Sequence, residues 1–279
     1  MKLRLYHHPD GARIAYREAG TGPPLALLHS KGLTHREWEP VVDELARRFR
    51  VVLPDLPLHG DSEDRPTHPY TPDWLTELLA GFLQDTCGAR PLLCGHGLGA
   101  QLALLAVERG AVQPAKLVLL SNPLHTKPRR SGLERVGRVV VRAAVVPGFD
   151  RVLARTAAVA LRPSRGDRLT VTGAPGARDL VRHALMDLGS NGNRVRAWAK
   201  AARRWPHGAQ KELLSAFGRM EFPVLLLWAD SDELHPLAIA EEALDAFPDA
   251  QLRVLPRTGF LVAYDDPVGL SRELVAFCG

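Results

Sequence analysis

The stretch LLCGHGLGAQLALL, residues 92–105, has the layout of a catalytic turn. An apolar run ends at Cys94, Gly95-His96-Gly97-Leu98-Gly99 follows, and an amphipathic helix begins. A strand that passes through G-x-S-x-G into a helix exposes a serine hydroxyl on a sharp turn. The next backbone amide then faces the oxygen that becomes negative. Here the central residue is Gly97, which has no side chain to attack with. Cys94 offers a thiol just before the turn, but a strand residue beneath such a turn is expected to be buried and inert. A second cluster, WADSDELHP, places Asp230, Asp232 and His235 close together, and a carboxylate there can orient an imidazole or accept a proton. A loop histidine before Pro236 is, however, expected to be exposed. In a third, LLHSKGLTHREWEP, His29, Ser30 and Lys31 follow an apolar run. Lys31 there can bind a carboxylate, stabilise an enolate or form an imine, or its ammonium can simply reach solvent.

The elements that must hold these groups alternate. Apolar strands are expected at PLALLH, RVVLP, PLLCG, KLVLLS, PVLLLWAD and AQLRVLP. Between them lie helical patterns: 37–49, with Trp38, Val41, Val42, Leu45 and Phe49 on one face; TPDWLTELLAGFLQDT, with Thr71 as cap and Pro72 at the first position; LGAQLALLAVERG; PLAIAEEALDAFP; and PVGLSRELVAFC. The N-terminus reads as two short strands around Asp10-Gly11, not as a signal core. Apolar strands separated by helices imply a mostly parallel central sheet covered on both faces, with the ligand at the carboxyl ends of the strands.

One segment breaks the alternation. Residues 123–220 carry 20 Lys/Arg against 6 Asp/Glu, whereas the rest of the chain holds 16 basic and 25 acidic residues within an overall charge of +5. This basic, mostly helical stretch, with breaks at Pro147-Gly148 and Pro163, is expected to be a cap inserted between two core strands. The core is then 1–122 and 221–279. A surface of that sign attracts an anionic ligand, a membrane surface or nucleic acid, or is merely a solvated arginine-rich face. The stretch 136–146 could lie on a membrane, although arginine among valine and alanine more often marks a helix with one buried face. The acidic body and the lack of a recognised module argue against nucleic acid, and no apolar run is long enough to span a bilayer. Cys87, Cys94 and Cys278 are too few and scattered for a disulfide framework or a zinc site, and suggest reduced thiols in the cytoplasm. No metal-ligand spacing, P-loop or dinucleotide fingerprint is present, so no cofactor is expected.

With these motifs in order, joined by VVLPDLPLHGDSEDRP and LPRTGFLVAYDDP, the chain resembles the α/β-hydrolase superfamily, in its capped epoxide-hydrolase, esterase and lactonase-like branch. The resemblance covers nearly everything outside the cap. It implies an α/β-hydrolase fold and assigns roles by position. Gly97 stands where the nucleophilic serine would be, and Phe260 where the histidine would be. Asp232 matches the carboxylate that orients that histidine, as a functional group or a relic. Leu98 and Lys31 supply the two amides of the oxyanion hole, and Ser30, after His29, replaces a usual glycine. His96 and His59 match positions that are usually structural. Without serine and histidine, the elbow mechanism loses its nucleophile and its base together.

Fold alone does not give function, and three readings follow. The first is a non-hydrolytic enzyme of lyase, isomerase or cyclase type, acting on a small anionic or acyl-type molecule with Asp232, Lys31 and the Leu98 amide, and with Phe260 shaping the wall. The second is a ligand-binding or partner-docking pseudoenzyme. The third is an atypical hydrolase with a displaced nucleophile or an activated water. The sequence favours the first narrowly and says nothing of oligomeric state.

Overall fold

The computed structural model describes residues 1–126, 169–190, 192–205 and 212–279. The stretch 136–146 and the breaks at Pro147-Gly148 and Pro163 lie outside the described residues. The strands are β1 (Lys2–His7), β2 (Arg13–Ala19), β3 (Pro24–Leu28), β4 (Arg50–Pro54), β5 (Leu92–His96), β6 (Lys116–Leu120), β7 (Val224–Ala229) and β8 (Ala250–Leu255). They form one sheet in the order β1-β2-β4-β3-β5-β6-β7-β8. Only β2 runs antiparallel to its neighbours β1 and β4; the other pairs are parallel. The expected mostly parallel sheet is present. The strand order reverses between β3 and β5, so the loops leaving these two strands meet at the switch point where such folds bind ligands.

The helices are α1 (Glu39–Leu45), α2 (Pro72–Cys87), α3 (Leu98–Glu108), α4 (Pro175–Ser190), α5 (Gly192–Arg204), α6 (Glu212–Phe217), α7 (Ala238–Leu244), α8 (Val262–Asp265) and α9 (Pro267–Cys278). Apolar side chains of β3, β5, β6 and β7 alternate between two cores. One packs Leu28, Leu93, Leu119 and Trp228 against α2, α3 and α7. The other packs Leu27, Val118 and Leu227 against Trp38, Leu45 and Leu270. Helix α2 starts as its sequence dictates: Thr71 Oγ1 accepts from the Trp74 amide at 3.2 Å, and Pro72 sits in the first turn. The pattern over 37–49 resolves differently from the single helix expected. A 3-10 turn, His35–Trp38, precedes a short α1, with Pro40 in its first turn. That turn swings Glu37 inward, where it is 2% exposed.

Asp55, at the end of β4, is fully buried and ties four segments together. It accepts from the His35 amide at 2.8 Å, the His35 ring at 2.7 Å, Arg17 at 3.2 Å and the Asp61 amide at 3.1 Å. Burial alone would raise its pKa, but the His35 hydrogen bonds and charge reverse that and hold it well below the usual carboxylate range. Asp10 behaves alike: hydrogen bonds from Trp74, Ala12 and His8 outweigh burial and bring it to about 2.

Helix α5 is fastened to the loop that follows β4 by its own cations. From α5, Arg194 donates to the Gly60 carbonyl at 2.7 Å and to Asp64 at 3.2 Å. Lys200 donates to the carbonyls of Pro66 and His68, and Arg204 to that of Pro69. At these positions the basic charge works between α5 and the 60–69 loop.

Groups whose folded pKa lies below the unfolded value stabilise the fold above the unfolded pKa, and that stabilisation is lost as pH falls through the folded one. The melting temperature should therefore stay level from pH 7 to about 5 and fall below about pH 4, the range in which unfolded carboxylates take up protons. Asp55→Asn should flatten that fall while lowering stability at pH 7 by about 3–5 kcal/mol, as expected for breaking a buried charge network. Thermal melts across the pH series measure both.

Candidate active site at the switch point

The turn between β5 and α3 is as tight as the glycines suggest. A Cβ on Gly99 would lie 2.4 Å from the Leu28 carbonyl oxygen, and one on Gly95 would lie 2.5 Å from the Ala100 amide nitrogen. These two glycines let α3 press onto β5 and β3. Gly97 itself has φ +50° and ψ −108°, a conformation that costs a residue with a side chain about 1–3 kcal/mol. A Cβ there would fall 2.2 Å from the Ser30 Oγ and 3.1 Å from the Ser30 Cβ. Glycine at 97 thus relieves strain, and it is also the residue that leaves room for the Ser30 hydroxyl.

Ser30 is held from below. Its amide donates to Glu37 Oε2 at 2.7 Å, and the other oxygen of that carboxylate is hydrogen bonded to His96 Nδ1. His96 is fully buried, and its Nε2 has no partner among the described residues. Its ring centroid lies 4.4 Å from that of Phe260. Nothing in the residue types marked Glu37, which reads in sequence as an ordinary first-turn acid of a helix. Only the 3-10 turn brings it beneath the switch point.

On the other side of Phe260 stands His235, its ring nearly parallel at 26° and 5.8 Å between centroids. Instead of the exposed position expected, its side chain is only 12% exposed and its Nδ1 lies 2.9 Å from Asp232 Oδ2. Asp232 Oδ1 accepts from the amides of Leu234 and His235 at 2.8 and 3.2 Å. Burial opposes ionisation of Asp232, but the His235 hydrogen bond and charge, with the Leu234 amide, hold it below the usual carboxylate range. Asp230 is taken up by the amides of Arg257 and Thr258 and the Ser231 hydroxyl, so it braces the loop leading to Phe260.

The remaining sequence candidates divide. His29 uses both nitrogens, donating to the Ser30 carbonyl and accepting from the Leu56 amide, and burial lowers its pKa. His59 donates to the Pro57 carbonyl and accepts from Gly32, so it fixes the loop carrying Lys31. The exposed Lys31 places its Nζ 5.8 Å from the centroid of the Trp198 ring on α5. That ammonium rests on α5. Leu98, at the first position of α3, keeps its amide at the helix N-terminus, which favours negative charge. Cys94 is fully buried, which pushes its thiol pKa well up, in keeping with an inert residue. Beside Phe260, Ala177 and Leu180 of α4 pack with Leu33 and Leu261, and Phe260 leans on that cluster. No group of metal-ligating side chains is found among the described residues. Nor is any described helix long and apolar enough to cross a membrane.

The sequence pattern of the alpha/beta hydrolase family matches residues 25–273, and the chain belongs to that family. An uncharacterized protein of Mycobacterium tuberculosis is 26% identical over 277 residues, spanning 96% of this chain and 77% of the relative. A pimeloyl-[acyl-carrier protein] methyl ester esterase of Aromatoleum aromaticum is 30% identical over 238 residues, 82% of this chain and 88% of the relative. Among solved structures, an esterase from Exiguobacterium antarcticum superposes with a TM-score of 0.77 at 16% identity, covering 99% of both chains, a likeness of fold.

The steric relation between residues 30 and 97 can be tested by stability alone. Gly97→Ser should cost about 1–3 kcal/mol through strain and overpacking. Ser30→Gly in the same chain should return a measurable part of that loss. Denaturant melts of the two single variants and the double variant give the coupling. Additive effects would show that the two residues do not compete for the space.

Proposed function

We propose that this chain is an enzyme acting on a small acyl-type or anionic molecule between core and cap, and that it works without an elbow serine. The chemistry is non-hydrolytic, of lyase, isomerase or cyclase type, with the acyl or carbonyl group handled by groups beside the vacated positions. The observation that carries this reading is the Asp232–His235 pair at 2.9 Å beside Phe260. A carboxylate-oriented imidazole is what general acid–base chemistry requires. It is kept here although position 260 supplies none.

The leading wall of the site supports the acyl assignment. The Leu98 amide at a helix N-terminus and the Lys31 backbone amide are the donors the resemblance assigns to a developing oxyanion. The Aromatoleum relative bears the name of an enzyme for a carrier-bound acyl ester, and we carry that substrate class over as acyl-type only. Asp232 and His235 are the proton-handling residues in this reading, Phe260 is a wall, and the Lys31 side chain stays at the cap. No cofactor enters the scheme. The three free, buried cysteines fit a reducing, cytoplasmic setting. A partner-docking pseudoenzyme is the weaker reading, because the α5 cations Arg194, Lys200 and Arg204 already bind core loops.

Native mass spectrometry of gently purified protein, followed by denaturing release, tests the proposal. A stoichiometric acyl or carboxylate-bearing small molecule is expected. Given that molecule, His235→Ala should slow its conversion on the order of a hundredfold or more, the usual worth of a general base. An empty chain that instead retains a protein partner would overturn the reading in favour of docking.

A further inference from the structure

We propose that the Ser30 hydroxyl replaces the elbow nucleophile, with His96 as its base and Glu37 as the residue that positions the imidazole. The inference rests on the acyl-type substrate class proposed above, assigns the attacking group that it leaves open, and gives the proton transfers of that attack to His96 in place of His235. Four observations converge on it. First, Ser30 Oγ lies 2.2 Å from where a Cβ on Gly97 would be, so it occupies the space of an elbow side chain. Relative to the pattern the chain resembles, glycine at the β3 loop and serine at the elbow have changed places. Second, one buried carboxylate serves both partners: Glu37 accepts from the Ser30 amide at 2.7 Å and is bonded to His96 Nδ1. Third, His96 is wholly buried, yet its Nε2 has no partner among the described residues. An orphaned imidazole nitrogen is costly unless a ligand or a reacting group uses it. Fourth, no described group accepts a hydrogen bond from the Lys31 or Leu98 amide.

The last point gives the swap its logic. An elbow serine is served by the amide of the next residue and by one from the β3 loop. With Ser30 attacking, Lys31 is the next residue and Leu98 the amide across the switch point. The same two donors serve with exchanged roles, which is why the nucleophile can move between these loops without a new oxyanion site.

In the reaction, Ser30 Oγ bonds to the acyl carbon while its proton passes through one water to His96 Nε2, which no described side chain reaches directly. The carbonyl oxygen becomes an alkoxide facing the two amides. The bond to the leaving oxygen or sulfur then breaks, and that atom takes the proton from His96. In the second half an acceptor hydroxyl, carried by the acyl chain itself in a ring closure, gives its proton to His96 and attacks the acyl carbon. Ser30 is released and regains its proton. No oxidant, reductant or metal is needed.

A small dialkyl fluorophosphate is the probe, because it bonds phosphorus to an activated serine oxygen with loss of fluoride. Intact mass and peptide mapping of the wild-type chain should show one adduct, on Ser30. Ser30→Ala should lose it, and His96→Gln should slow labelling on the order of a hundredfold, the usual worth of a general base. Glu37→Gln should move the pH midpoint of labelling, a change that a merely structural residue would not produce. Should a His96 or Glu37 variant fail to fold, Ser30→Cys carries the test: its thiol should be alkylated by iodoacetamide much faster than Cys87, Cys94 or Cys278. No adduct on the wild type, an adduct elsewhere, or a Ser30→Cys thiol no faster than the native ones would overturn the assignment. If Ser30 stays unlabelled while an acyl molecule copurifies and is converted, this inference falls and the acid–base reading stands. If neither is seen, both fall.

Discussion

The structure depends on how closely α3 and the β3 loop approach each other across the end of β5. Gly95 and Gly99 have no room for a Cβ, and so the helix N-terminus is pressed against two strand ends. Such an approach is possible only where the backbone carries no side chain, and it concentrates amides and small residues at the switch point. Everything placed there competes for the same few cubic ångströms. That is why the identity of residue 97 cannot be separated from that of residue 30.

Around this contact the protein has buried several charged and polar groups. Asp55, Glu37 and Asp232 are all carboxylates with little or no exposure, and each is joined to a histidine: His35, His96 and His235. A buried charge left unpaired would be costly, so these pairs fix the loops that carry them. Asp55 fixes the turn that delivers Glu37, Glu37 fixes Ser30 and His96, and Asp232 fixes His235 against Phe260. The family's frame survives, and the positions proposed to have lost their chemistry are flanked by two other carboxylate–histidine pairs. Helix α5 adds its own constraint, since Arg194, Lys200 and Arg204 donate to carbonyls of residues 60, 66, 68 and 69.

Much of the fold was legible in the residues. Apolar strands alternating with helices gave the parallel order, and the Thr71-Pro72 start of α2 is a local signal that survives in the structure. The glycine spacing at 95, 97 and 99 announced a tight turn. The helix expected over 37–49 was read from a sound apolar face, but the chain turns through a 3-10 segment first, and the burial of Glu37 followed from that. His235 was read as exposed because a short loop and a proline usually mean so. Its pairing with Asp232 is a local contact three residues back, and Phe260, from a loop distant in sequence, stacks on the ring.

The sequence by itself determined the fold class, the tight turn at 95–99 and the absence of a hydroxyl at position 97, because periodicity and glycine spacing are local properties. Tertiary structure alone decided which polar groups share that space. Ser30 meets Gly97 across two strand ends, and Glu37 reaches His96 from 59 residues away. Those contacts arise from how the sheet twists loops together, and no local pattern encodes them.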